Sequence, residues 1–207
     1  MKPRSIVYVD GFNLYYGALK GDPYKWLNLG RYFALLRPDD DIQIIRYFSA
    51  PVNGPSTDQA TYLRALATDP LVEIILGKFK RKNVRCRVRS CAHTGERMFP
   101  AVEEKRTDVN IAVSMLDDAY QDLADRFILV SGDSDLVPAV ARIKQRFSSK
   151  QVIVYVPSRD PTRGAAVEIR TAADSHKTLP LQLLRHAQFP QTLTDGTGQP
   201  IVRPSDW

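Results

Sequence analysis

Short runs of β-branched and aromatic residues alternate along this chain with stretches of helical periodicity. That alternation constrains the fold more than any other feature. Strand-like runs lie at Ser5–Val9, Ile42–Phe48, Leu71–Leu76, Arg126–Val130 and Val152–Val156. Between and after them the spacing predicts helices over Phe12–Leu19, Arg31–Leu36, Thr57–Thr68, Asp108–Tyr120, Leu136–Phe147 and Leu179–His186. The third helix has Ser56 and Gln59 spaced as a capping box, and Ala60, Leu63, Leu66 and Ala67 on one apolar face. The fourth has Val109, Ala112, Val113 and Leu116 on one face. Strands alternating with helices specify an α/β protein with a mainly parallel sheet and helices on both faces.

One segment breaks the alternation. Residues 78–104 are rich in lysine and arginine and carry a turn signal at His93-Thr94-Gly95, which predicts a basic β-hairpin inserted between a strand and a helix. The domain is expected to span residues 1–190. Residues 191–207, rich in Pro, Gly and Thr, are expected as an extended tail, with Trp207 docking on the domain or on a second subunit. At 207 residues the chain is long enough for one domain with a real core. No apolar run approaches the ~20 residues needed to cross a bilayer, so the expected location is the cytoplasm. Two cysteines are too few for a secreted disulfide scaffold. The net charge of +6 is compatible with a polyanionic partner but is weak support for one.

The acidic residues are placed more tellingly. Asp10 directly follows the first strand, Asp133 and Asp135 follow the strand ending at Val130, and Asp108 opens the helix that feeds that strand. Ligands of open parallel sheets bind outside the carboxyl ends of the strands, so Asp10 and Asp133 are expected on one edge. Each acid also has an ordinary structural reading. Asp10-Gly11 can be a strand-ending turn, Asp108 can favour the positive end of a helix, and Asp135 can be a helix N-cap. Taken together, converging carboxylates without counter-charge repel strongly, and they suit a hard cation such as Mg²⁺ or Mn²⁺.

Three motifs carry a family resemblance. Val7-Tyr8-Val9-Asp10-Gly11-Phe12-Asn13-Leu14, Glu104-Lys105-Arg106-Thr107-Asp108-Val109 and Leu129-Val130-Ser131-Gly132-Asp133-Ser134-Asp135-Leu136 resemble, in order and separation, the motifs of NYN-domain proteins. These form a branch of the PIN-like nuclease superfamily. The ending Ala187-Gln188-Phe189-Pro190 is similar to the bacterial LabA-like subgroup. The resemblance implies a PIN-like (Rossmann-like) three-layer fold and a metal-dependent nuclease, with RNA favoured over DNA as substrate. By the same resemblance Asp10, Asp108, Asp133 and Asp135 would form the catalytic metal shell for Mg²⁺ or Mn²⁺. Asn13 would orient a water or a phosphate, Ser131 would bond a carboxylate or water, and Lys105 would meet phosphate. A helix cap for Asn13 and a solvated position for Lys105 are the plain alternatives.

In the predicted hairpin, Arg85, Arg87 and Arg89 would share one strand face and could grip a phosphate backbone, while Phe79 and Phe99 could stack on bases. An equal alternative is an edge protected from aggregation by its charge. Cys86, Cys91 and His93 match no common zinc spacing. Two rival functions stand beside the nuclease. One is a non-catalytic RNA- or protein-binding module with a structural or idle acidic site. The other is a haloacid-dehalogenase-like phosphatase, disfavoured because Phe12 stands where that chemistry needs a second aspartate. Self-association stays open.

Overall fold

The computed structural model describes residues 1–51, 58–159 and 167–207. Its centre is a six-stranded sheet in which every neighbouring pair is parallel. The strands are β1 (Arg4–Asp10), β2 (Asp41–Ser49), β3 (Val72–Leu76), β6 (Arg126–Val130), β7 (Gln151–Val156) and β8 (Ser175–Thr178), in the order β3-β2-β1-β6-β7-β8. The chain thus builds outward from β1 in one direction, then returns beside β1 and builds outward in the other. The gap between β1 and β6 is where the winding direction changes. In doubly wound sheets that is where the crevice for a ligand opens.

Burial on both faces explains why β1, β6 and β7 read as continuous apolar runs. Val7, Val9, Ile45, Ile128 and Val130 point to one side, and Ile6, Tyr8, Phe48, Phe127 and Leu129 to the other. The first side is covered by α1 (Gly11–Leu14), the π-helical turn Tyr15–Leu19 that continues it, α2 (Leu29–Leu36) and α3 (Asp58–Leu66). The second is covered by α4 (Thr107–Tyr120), α5 (Val137–Arg146) and α6 (Val167–Ala172). The result is three layers. Among the described residues no helix is long and apolar enough to cross a membrane.

Several local expectations need correction. The helix expected over Phe12–Leu19 changes pitch at Tyr15, where the Lys20 amide reaches back to the Tyr15 carbonyl at 2.7 Å, an i→i+5 bond. The α2 helix begins earlier than expected because Asn28 caps it, accepting from the Arg31 amide at 2.7 Å. Ser56 of the expected capping box lies outside the described residues. The expected helix over Leu136–Phe147 opens with a 3-10 turn, Ser134–Leu136, before α5. Leu181–His186 is a 3-10 helix rather than an α-helix.

Strand β8 was not anticipated. Its Ser-His-Lys-Thr sequence has no apolar alternation, because it is an edge strand with only β7 beside it. Residues 191–207, expected to be extended, fold instead as an antiparallel pair of β9 (Thr192–Thr194) and β10 (Pro200–Val202). Ile201 enters the core, and the Trp207 ring lies 5.1 Å from that of Tyr62 and 6.4 Å from that of Trp26.

Outside the central sheet, β4 (Lys78–Arg85) and β5 (Met98–Lys105) form a separate antiparallel pair, with Lys78 opposite Lys105 and Arg85 opposite Met98. Strand β4 stops at Arg85, so Arg87 and Arg89 do not continue a strand face with it. All three arginines are exposed. The intervening stretch bends at Gly95, and both cysteines are free and half-buried.

Candidate active site

Asp10 ends β1 and caps α1. It is 2% exposed. One carboxylate oxygen accepts from the Asn13 amide at 2.9 Å. The other accepts from Asn13 Nδ2 at 2.6 Å and from Ser131 Oγ at 3.0 Å. Across the sheet the Asn13 side-chain oxygen accepts from the Gly132 amide at 3.1 Å, and Ser131 Oγ accepts from the Asp133 amide at 3.1 Å. Asn13 and Ser131 therefore stitch the end of β1 to the loop after β6, across the point where the winding changes. Ser131 is fully buried, and its hydroxyl donates to Asp10. Burial pushes the Asp10 pKa up, partly offset by these hydrogen bonds.

In the loop after β6 the N-cap is Asp133 and not Asp135: Asp133 accepts from the Asp135 amide at 2.9 Å. Asp135 occupies the first turn and is exposed. Asp108 lies in the first turn of α4. That helix starts abruptly from β5 through Arg106, whose φ is 86°. Gly77 makes room for this turn: a Cβ there would meet the Lys105 carbonyl at 2.7 Å and the Glu104 carboxylate at 2.8 Å. Glu104 accepts from the Thr107 amide at 3.1 Å and also from the Thr107 hydroxyl. Glu104 stands in the second motif, but its Glu-x-x-Thr order is the reverse of a capping box, so the sequence did not single it out as the residue that holds this turn.

The acids sense one another. The Asp108 pKa is raised to about 6, first by burial and then by the charges of Asp133, Asp10, Glu104 and Asp135. Among the described residues, none of these carboxylates forms an ion pair with a lysine or arginine. Also among the described residues, no three His, Cys, Asp or Glu side chains converge as a ready-made metal cage. The cluster is an electrostatic neighbourhood of oxygen donors, not a closed ligand sphere. Its chemistry suits a hard divalent cation, because the donors are anionic, all oxygen, and unpaired with cationic side chains.

This field has a stability consequence. The folded pKa of Asp108 exceeds its ordinary value of 3.8, so the folded state penalises its charged form. The penalty is complete above pH about 6 and fades as pH falls through 6 toward 3.8. Asp108→Asn removes it. In EDTA at pH 8 that variant is expected to be more stable than wild type by on the order of 1–2 kcal/mol, after allowing for solvent screening. The gain should vanish by pH 4. Urea unfolding at the two pH values checks this.

The remaining expected residues stand apart. Lys105 is exposed and pairs with Glu103 at 3.1 Å. Arg85 lies seven residues along β4 from Lys78, which faces Lys105. At ~3.3 Å per residue that is about 23 Å from the base of the hairpin. Arg85 therefore sits at the opposite end of the hairpin from Lys105, and Arg87 and Arg89 follow it beyond the end of β4. Phe79 packs edge-on against Phe12, with ring centroids 5.8 Å apart, which ties the hairpin base to α1.

The NYN domain family matches residues 4–180. This chain is an NYN-domain protein. NYN domains belong to the PIN-like nuclease superfamily, and the parallel sheet with its flanking helices agrees with that fold. The NYN chain is 28% identical to a Pseudomonas putida protein named as 6-hydroxy-3-succinoylpyridine 3-monooxygenase, over 99% of this chain and 75% of the relative. It also resembles the crystal structure of a protein of unknown function from Vibrio parahaemolyticus, with a TM-score of 0.53 at 22% identity. That likeness covers 86% of this NYN chain and 94% of the other, and it bears on the fold alone.

Proposed function

We propose that the protein is a divalent-metal-dependent nuclease that hydrolyses phosphodiester bonds, with endonucleolytic cleavage of RNA as its activity. The observation that carries this reading is the set Asp10, Asp108, Asp133 and Asp135 at the switch point of the sheet, without an ion-pair partner among the described residues and close enough that their charges add to burial in raising Asp108 to about pKa 6. Membership of a nuclease-like superfamily supports it. In this reading residues 1–190 are the nuclease domain, residues 191–207 brace it, and the four aspartates hold Mg²⁺ or Mn²⁺. The bound ion would activate water and neutralise charge on the phosphate.

The chain's own residues do the rest. Asn13 and Ser131 fix the Asp10 carboxylate by three hydrogen bonds, so it cannot rotate away from the crevice. Asp133 is fixed on its own loop by the Asp135 amide. The exposed arginines at the far end of the hairpin can hold a polymer several nucleotides from the cut, as backbone contacts do without reading sequence.

The test is cleavage of labelled RNA and DNA with Mg²⁺, with Mn²⁺ or with EDTA. RNA should be cut internally with either metal and left whole in EDTA. Cleavage that survives EDTA contradicts the reading. Binding of RNA at unchanged strength in EDTA, with no cleavage under any condition, would point to a non-catalytic RNA-binding module.

A second reading comes from the Pseudomonas putida relative, whose name gives it a hydroxypyridine substrate. An aromatic-lined cavity of about 340 Å³ next to Gly11 favours it. Oxygen uptake with 6-hydroxy-3-succinoylpyridine and an added reductant, without RNA cleavage, would replace the nuclease reading.

A further inference from the structure

The cavity beside Gly11 is walled by Phe12, Tyr15, Tyr16, Tyr47, Tyr62 and Trp207. So many aromatic faces around about 340 Å³ make an unusual lining. The space suits a flat ring far better than a flexible aliphatic chain, because ring faces and edges pack with defined geometry. The walls are held in place. Tyr47 and Tyr62 meet edge to face with centroids 6.2 Å apart, and the Tyr62 hydroxyl donates to the Leu27 carbonyl at 2.8 Å. The Trp207 indole N–H donates to Asp58 at 3.1 Å while its ring packs on Tyr62. The Gln59 amide donates to Ser49 Oγ at 3.2 Å and to the Ala50 carbonyl at 3.0 Å, keeping a polar edge beside the rings.

Gly11 shapes the cavity where it faces the acids. A Cβ there would meet the Tyr47 ring, the Tyr47 hydroxyl and the Phe48 carbonyl at 2.7 Å. The cavity therefore begins one residue after Asp10. The Tyr47 pKa, raised mainly by burial, is also raised by the charge of Asp10, which places the two groups within electrostatic reach. Phe12 links the cavity to the hairpin through its edge contact with Phe79. The cavity thus adjoins the Asp10 turn through Gly11 and the base of the hairpin through Phe12.

We propose that this cavity receives one planar heteroaromatic ring, the base of the nucleotide whose phosphate lies at Asp10. The placement of the phosphate rests on the nuclease reading, whereas the ring site does not. Stacking is indifferent to which base enters, since every base has a π face. The site therefore contributes affinity and register rather than sequence choice.

Calorimetric titration in EDTA, where no cleavage occurs, tests the ring site separately from catalysis. The probes are adenosine 5′-monophosphate, uridine 5′-monophosphate, pyridine-3-carboxylate and ribose 5-phosphate. Both nucleotides should bind, and ribose 5-phosphate should bind at least about tenfold more weakly, because it offers no ring to stack. Tyr16→Ala, at an exposed position that leaves the core intact, should weaken nucleotide binding about tenfold, and Trp207→Ala should do the same. Tighter binding of pyridine-3-carboxylate than of either nucleotide would support the ring site and give it a free small molecule as its ligand. Equal binding of ribose 5-phosphate and the nucleotides would overturn the proposal. So would unchanged nucleotide affinity in both variants. Absence of RNA cleavage in the metal assay would leave the ring-site result standing.

Discussion

Asp10→Asn is expected to slow RNA cleavage roughly a hundred- to ten-thousandfold and to leave the fold intact. Charge stabilisation at a metal site is worth several kcal/mol, and each ~1.4 kcal/mol is tenfold in rate. Asparagine preserves the shape of the side chain and one carbonyl oxygen, so the cap on α1 can persist through the Asn13 amide. What it removes is the charge, together with the acceptor oxygen shared by Asn13 Nδ2 and Ser131 Oγ. The lost hydrogen bonds and the relieved burial of charge act on stability in opposite directions, so the net change in folding should be small. The measurement is the single-turnover cleavage rate of wild type, Asp10→Asn and Asp133→Asn, with circular dichroism to confirm the fold. If both variants cut as fast as wild type, the active site lies elsewhere.

The largest stability effect is expected on the other face of the sheet. Asp118, on α4, is 1% exposed. It accepts from Arg46 on β2 at 2.8 and 3.0 Å and from the Tyr8 hydroxyl on β1 at 2.7 Å. This triad fastens α4, and with it Asp108 ten residues earlier, to β1 and β2. Asp118→Ala leaves a guanidinium and a phenol with no acceptor at that position. Breaking a buried pair in this way costs about 3–5 kcal/mol. Urea unfolding should show a midpoint shift of that size at an unchanged slope, and a loss below about 1 kcal/mol would show that Arg46 is sufficiently served by Glu73.

Much of the architecture was readable from the chain because β1 and β6 are buried on both faces, and such strands must be apolar runs. Their ends were readable because each stops at an acidic turn. Edge strand β8 was silent, since a strand with one neighbour and polar surroundings needs no apolar pattern. The aspartates were legible as a group, but their individual duties were not. Asp133 and Asp135 compete for one cap, and only the backbone course after Val130 decides between them. The arginine row failed for a related reason. Alternation assumes that a strand continues, and β4 stops at Arg85. Glu104 and Trp207 act through contacts made by the turn into α4 and by the folded-back tail, and periodicity carries no information about either.

On the nuclease reading, Asp10, Asp108 and the Asp133–Asp135 loop would hold the divalent metal together. Calorimetric titration of Mn²⁺ into the protein, with Mg²⁺ as competitor, addresses this without reference to any substrate. Wild type should bind Mn²⁺ and release it to Mg²⁺. Asp10→Asn, Asp108→Asn and Asp133→Asn should each weaken Mn²⁺ binding at least about tenfold. Mn²⁺ affinity equal to wild type in all three variants would mean that these aspartates do not hold the metal.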